Sequence, residues 1–233
     1  MCSDTSTLLS LFRLAWLSDS ALPVGSFAFS MGLEGAVESG LVCDSQTLEE
    51  YIRGLLHAAA ECDCIALLEA FRAASVGDHR RLLDADHRLY SFKASHEARE
   101  MTTKMGRRLA DLLHSIAPTP LTHTLRDWLQ DGLAMGTYPV VQAVAGVALG
   151  VGERGLYAAH LYGVANTSLS AAMRLMRITH YTSQQILYRI SPLCEGLYDT
   201  YGALSLEDMT SFAPTLEIAT SLHEHGRSRM FMN

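Results

Sequence analysis

Residues 132–152 run for 21 positions without a charged side chain, and residues 156–173 do so for another 18. Stretches of this length meet the minimum for a membrane-spanning helix. Three features point instead to buried helices in a helical core. Pro139 belongs at the start of a helix, which leaves about twelve residues to Gly150, too few to cross a bilayer. The composition is rich in Ala and Gly rather than Leu and Phe. The second run also carries His160, Asn166, Thr167, Ser168 and Ser170. Small residues let such helices pack closely, within one chain or against a second copy.

The rest of the chain follows the same helical period, with no alternating strand pattern. The spacing predicts helices over about residues 7–18, 29–38, 47–74, 79–90, 92–115, 120–135, 139–150, 155–178 and 182–203, and 214–224 has helical spacing within a polar tail. In the first helix Leu8, Leu11, Phe12, Ala15 and Trp16 are expected to face inward. Thr47 and Glu50 read as a capping box that opens the third. The expectation is one all-α domain over residues 1–233, a bundle of about ten helices, with residues 204–233 as a partly flexible, partner-binding tail. A chain of 233 residues can bury about 70% of its unfolded surface without disulfide or metal.

Composition narrows the function. Apolar residues make up 48% and charged ones 18%, which excludes a disordered chain. So little charge suggests that a partner covers part of the surface. The net charge of −7 argues against sequence-independent nucleic-acid binding, which needs a basic footprint. Charge is uneven: −8 over residues 1–70, +5 over 71–194 and −4 over 195–233. That fits differently charged docking faces. The five cysteines, Cys2, Cys43, Cys62, Cys64 and Cys194, form neither a disulfide framework nor a zinc signature. Reduced thiols in the cytoplasm are the default, and the N-terminus does not read as a signal peptide.

No motif supplies a catalytic, cofactor or metal set. Residues 150–155 match G-x-G-x-x-G, but a helix precedes them and no acid follows at ribose distance, so they read as a turn between helices. Cys62 and Cys64 point to different faces of a helix and read as buried small hydrophobes. His223, Glu224 and His225 could touch a transition metal, although a partner-facing tail is the simpler reading. There is no G-x-S-x-G elbow and no phosphate-binding P-loop. Glu97, Arg99, Glu100, Lys104, Arg107 and Arg108 mix signs at helical spacing. This is either a solvated face with pairs such as Glu100–Lys104 or a docking surface for an acidic partner.

The segment Leu22-Pro23-Val24-Gly25-Ser26-Phe27-Ala28-Phe29-Ser30-Met31-Gly32-Leu33-Glu34, followed by Ala36-Val37-Glu38 and Gly40, resembles the N-terminal signature of the urease accessory protein UreF family. In the residues themselves, Pro23 and Gly25 set a turn, Phe27 and Phe29 are placed to anchor it to the core, Gly32 allows close packing, and Glu34 sits where it can cap or pair. The likeness extends through Glu97 to Arg107, with Arg99 and Glu100. It goes on through Tyr138 to Gly150, then through Asn166, Ser170 to Ala172, Arg174, Leu175, Gln184 and Leu187. It ends with Asp208, Met209, Ser211, Pro214, His223, Glu224, Arg229 and Phe231. Ser26 and Met31 depart from the family pattern. So does Arg177-Ile178-Thr179-His180, where the usual Pro and Gly are missing and the helix is expected to run on.

The resemblance implies an all-α, homodimeric, cytoplasmic protein that is not an enzyme and carries no cofactor. It implies binding to the accessory protein UreD (UreH in some organisms), recruitment of the GTPase UreG, and delivery of nickel to the urease apoprotein, with no nucleic acid or membrane partner. The tail is expected to dock on UreD through Phe231 and Arg229, with His223 and Glu224 beside them. Two alternatives remain: modulation of the GTPase with an arginine such as Arg174, or direct nickel carriage by the tail histidines.

Overall fold

The computed structural model describes residues 7–211 and 230–231. The α-helices, in chain order, are α1 (Leu8–Leu17), α2 (Leu33–Glu38), α3 (Ser45–Glu61), α4 (Asp63–Val76), α5 (His79–Phe92), α6 (His96–Ile116), α7 (Pro120–Gln130), α8 (Tyr138–Leu149), α9 (Glu153–Leu175), α10 (His180–Ile190) and α11 (Leu193–Tyr201). Short 3₁₀ turns occupy Ser26–Ala28 and Leu206–Asp208, and there is no strand among the described residues. The all-α class expected from periodicity is what the chain adopts.

The two uncharged runs become α8 and α9. Almost every residue of α8 from Pro139 to Gly146 is buried, because α4 and α6 pack on it from different sides. Burying each Val or Leu there contributes about 1.5–3 kcal/mol. Among the described residues, no helix is long and apolar enough to cross a membrane. Residues 150–152 form the turn between α8 and α9, with Gly150 left-handed at the end of one helix and Gly152 at the start of the other, and residues 153–155 are the first turn of α9.

Two long-range contacts fix where α8 begins. The Asp86 carboxylate on α5 accepts the backbone N–H groups of Met135, Gly136 and Thr137 at 2.7, 2.9 and 2.8 Å, and the Thr137 hydroxyl at 2.6 Å. The Thr102 hydroxyl on α6 then takes the N–H of Tyr138 at 3.0 Å. Gly106 on α6 lies against this same backbone, and a Cβ there would overlap the Gly136 carbonyl. Backbone cannot step aside as a side-chain tip can. Gly106→Ala is therefore expected to cost about 1–3 kcal/mol, read as a lowered midpoint in urea unfolding with an unchanged slope.

Several expectations need correction. The helix expected over 47–74 is two helices, broken at Cys62, whose backbone is not helical (φ −127°, ψ −72°). On either side of the break, Glu61 accepts from the Tyr201 hydroxyl at 2.8 Å, and Asp63 holds the Lys93 ammonium at 2.7 Å. The capping box exists but lies earlier, between Asp44 and Thr47. The helix expected over 182–203 stops at Ile190, since Pro192 has no N–H to continue it. The chain does not run on through residues 177–180. Met176 is extended, and the Thr179 hydroxyl caps a new helix by accepting the Thr182 N–H at 3.1 Å.

In α1, Leu8 and Phe12 are 88% and 74% exposed, and Leu11 and Ala15 also face solvent. Of the expected residues only Trp16 packs on the core, and the rest of the packing face is Ser10, Arg13, Leu14 and Leu17. Arg13 donates to the Leu149 carbonyl at 2.9 Å, and Leu14 reaches Gly155. The helix expected over 29–38 starts only at Leu33, because Met31 and Gly32 both have positive φ.

Candidate functional site

The residues that carry the N-terminal motif converge with the end of the chain on one side of α9. Gly25 is left-handed (φ 82°), and the guanidinium of Arg108 from α6 occupies the space where a side chain at Gly25 would stand. Pro23 is exposed beside it. The motif's two phenylalanines divide their tasks. Phe29 is buried as an anchor, whereas Phe27 is 71% exposed and does not anchor the turn. The Tyr51 hydroxyl donates to the Met31 carbonyl at 2.9 Å, and Gly32 (φ 78°) starts α2.

Glu34 lies in the first turn of α2 and is only 4% exposed. Its two carboxylate oxygens accept the backbone N–H groups of Met230 and Phe231 at 2.8 and 3.1 Å. The helix N-terminus favours a negative charge here, which helps hold the carboxylate in place. Phe231 is itself buried within the chain's own core. The Arg174 guanidinium from α9 stacks over its ring at 4.1 Å and donates to the Phe27 carbonyl at 2.8 Å. Phe27, Glu34, Arg174 and Phe231 thus form one cluster, with 197 residues in sequence between Glu34 and Phe231. Phe231 is buried within the chain itself, and the groups exposed beside it are Phe27 and Met230.

The other expected site residues lie apart from this cluster. Arg99 donates to the carbonyls of Lys93 and Ala94 at 2.7 and 3.2 Å, where α5 ends. Glu100 makes the expected pair with Lys104 at 3.0 Å, on the surface. Gln184 is exposed on α10, next to Tyr181 and Tyr188. His223, Glu224 and Arg229 lie outside the described residues.

A cleft of about 270 Å³ opens behind the motif loop, lined by Met31, Met101, Tyr138, His160, Asp63 and Lys93 among others. Burial draws the Lys93 ammonium down, but Asp63 beside it more than offsets this, and the group is held above its ordinary range. Burial pushes the Cys62 thiol up to about 12, so it is a protonated small hydrophobe, as its spacing suggested. Among the described residues, no three His, Cys, Asp or Glu side chains come close enough to hold a metal ion.

His160 is buried, and one ring nitrogen is 2.8 Å from the Gln142 amide oxygen, which fixes that nitrogen as the donor; the other has no partner. Burial lowers its pKa to about 4 from an ordinary 6.5. Between these values the unfolded chain binds a proton that the native chain refuses. Stability therefore falls as pH drops from 6.5 to 4, reaching a loss of about 3 kcal/mol below that window. Urea unfolding across this range should show the slope in wild type, and His160→Gln should remove it.

The UreF family model matches residues 42–191, and relatives named urease accessory protein UreF align over nearly the whole chain. The protein from Yersinia enterocolitica serotype O:8 is 37% identical over 223 residues, 96% of this chain and 98% of its own. Those from Yersinia pseudotuberculosis serotype I and Yersinia pestis (strain Pestoides F) match to the same extent. The chain belongs to the UreF family. The family-model match includes Arg174 but stops short of Phe27 and Glu34 on one side and of Met230 and Phe231 on the other. Sequence reading pointed to Glu34, Arg174 and Phe231 but not to how they meet. It missed Arg108 as the partner of Gly25 and Asp86 as the anchor of α8. No local signal marks either, because both act across the fold.

Proposed function

We propose that this chain is a non-enzymatic scaffold of urease maturation. It works in the cytoplasm as a homodimer, binds UreD (or UreH), recruits the GTPase UreG, and so supports delivery of nickel to the urease apoprotein. Nickel is the cargo of this assembly and not a resident cofactor of the chain. The observation that supports the reading best is the clamp between the two ends of the chain. Glu34 from the N-terminal motif grips the backbone of residues 230–231, and Arg174 closes over Phe231. Such a clamp holds a shaped surface for partners without building a reaction centre. Arg174 is engaged with carbonyls and a ring of its own chain, which favours a structural task over a GTPase-stabilising one.

The test is the nickel content and activity of urease made from its own operon with and without this chain. Apo-urease is expected to accumulate in its absence and to regain nickel when the chain is restored. Equal nickel loading in both cases would overturn the proposal. Titration of nickel into the isolated chain separates the carrier alternative, which requires tight binding at a defined stoichiometry.

A further inference from the structure

We infer that the cleft behind the motif loop is a binding site for a small, uncharged, flat aromatic molecule carrying one N–H or O–H donor, with Nε2 of His160 as the acceptor that orients it. The inference concerns a ligand of the chain itself and does not depend on the scaffold reading.

The size of the cleft sets the first limit. It holds about 270 Å³. An apolar cavity of about 150 Å³ accepts benzene, and sites for drug-sized ligands span about 300–1,000 Å³. One or two fused rings therefore fit, and a nucleotide-sized cofactor does not. The walls suit such rings. Met31 comes from the motif loop, Met101 and Met105 from α6, and Phe92 from the end of α5. Thioethers pack well on ring edges and adapt to the outline of a guest. Tyr138, at the start of α8, has its ring 6.3 Å from that of His160 at an angle of 34°, which sets two π systems side by side in the lining.

One polar atom in this lining is left over. His160 is 5% exposed, and its Nε2 atom has no hydrogen-bond partner among the described residues. Nδ1 carries the proton, because it lies 2.8 Å from the Gln142 amide oxygen. Burial keeps the ring neutral at ordinary pH, so Nε2 is a lone pair that can only accept. A buried acceptor without a donor is costly, and a guest that donates to it removes that cost. The charged groups nearby cancel each other. The Lys93 ammonium is held by both oxygens of Asp63 at 2.7 Å, so this part of the cleft offers no net charge to an ion. The guest that complements the cleft is thus neutral, apolar over most of its surface, and a donor at one point.

The experiment titrates indole and benzofuran into the full chain at neutral pH, followed by ligand-observed NMR and by the midpoint of thermal unfolding. The two molecules share one shape, and only indole has a donor. Indole is expected to bind at least fivefold more tightly than benzofuran, to raise the midpoint as its concentration passes the Kd, and to shift the nitrogen resonance of His160 Nε2 upfield. In His160→Leu the two affinities are expected to come within twofold of each other. The wild-type comparison needs no variant, so it decides the matter even if His160→Leu fails to fold. Equal affinities for wild type would overturn the inference, as would binding of neither molecule, which would leave Nε2 to water. A preference for indole that survives in His160→Leu would also overturn it. So would tighter binding of N-acetyltryptophanamide than of indole, which would assign the cleft to a side chain of a protein partner.

Discussion

Asp86→Ala is expected to lose about 3–5 kcal/mol of stability, more than loss of the Glu34 carboxylate costs. The carboxylate is 2% exposed and accepts four hydrogen bonds, three from consecutive backbone N–H groups at the entry to α8. Alanine leaves those donors buried without an acceptor. Each unsatisfied group costs about 1–3 kcal/mol, and partial relaxation or an entering water recovers some of it. The damage would spread, because α8 is the helix on which α4 and α6 both pack. Asp86→Asn retains one oxygen but turns an N–H₂ toward backbone donors, so it should recover only part of the loss. Chemical denaturation of the three proteins checks this. A change below about 1 kcal/mol for alanine would mean that α8 is held by its apolar packing alone.

The contrast between Asp86 and α8 shows what the sequence made legible. The uncharged runs, with Pro139 at a start and Gly150 at an end, marked α8 as a buried helix, because hydrophobic runs and their punctuation are local properties. The break at Cys62 was hidden for the opposite reason. No Gly or Pro marks it, and the partners of the acids on either side of it, Tyr201 for Glu61 and Lys93 for Asp63, come from later in the chain. α1 was misread because its apolar residues are numerous enough to suggest two faces. The one that packs is chosen by Leu149 and Gly155, far along the chain. Pro192 was a visible signal that the periodicity overrode. At the site, the motif residues were legible singly through the family resemblance. Their meeting was not, since a carboxylate at position 34 gives no sign that it will bind backbone at positions 230 and 231.

Glu34→Ala should separate the chain's stability from its work. The native carboxylate binds two neighbouring N–H groups at once, and its removal leaves them to compete for water. Unlike the Asp86 donors, these belong to two residues outside any helix, one of them, Met230, exposed, so the groups can turn to water rather than stay buried and unpaired. The expected result is a loss of stability of about 1–3 kcal/mol, with the amides of Met230 and Phe231 exchanging about five- to 150-fold faster. Phe231 would then vacate its place under Arg174, and the Phe27 carbonyl would lose the neighbour that orients it. If the clamp organises the partner face, urease activation in cells should fall at least tenfold although the helices remain folded. Glu34→Gln, with one acceptor oxygen left, should lie between. Rapid exchange at Met230 and Phe231 together with full urease activation would show that the clamp stabilises the chain's end without serving maturation. Slow exchange in the alanine variant would show that Phe231 burial and Arg174 stacking suffice to hold the segment, and the carboxylate would lose its assigned part.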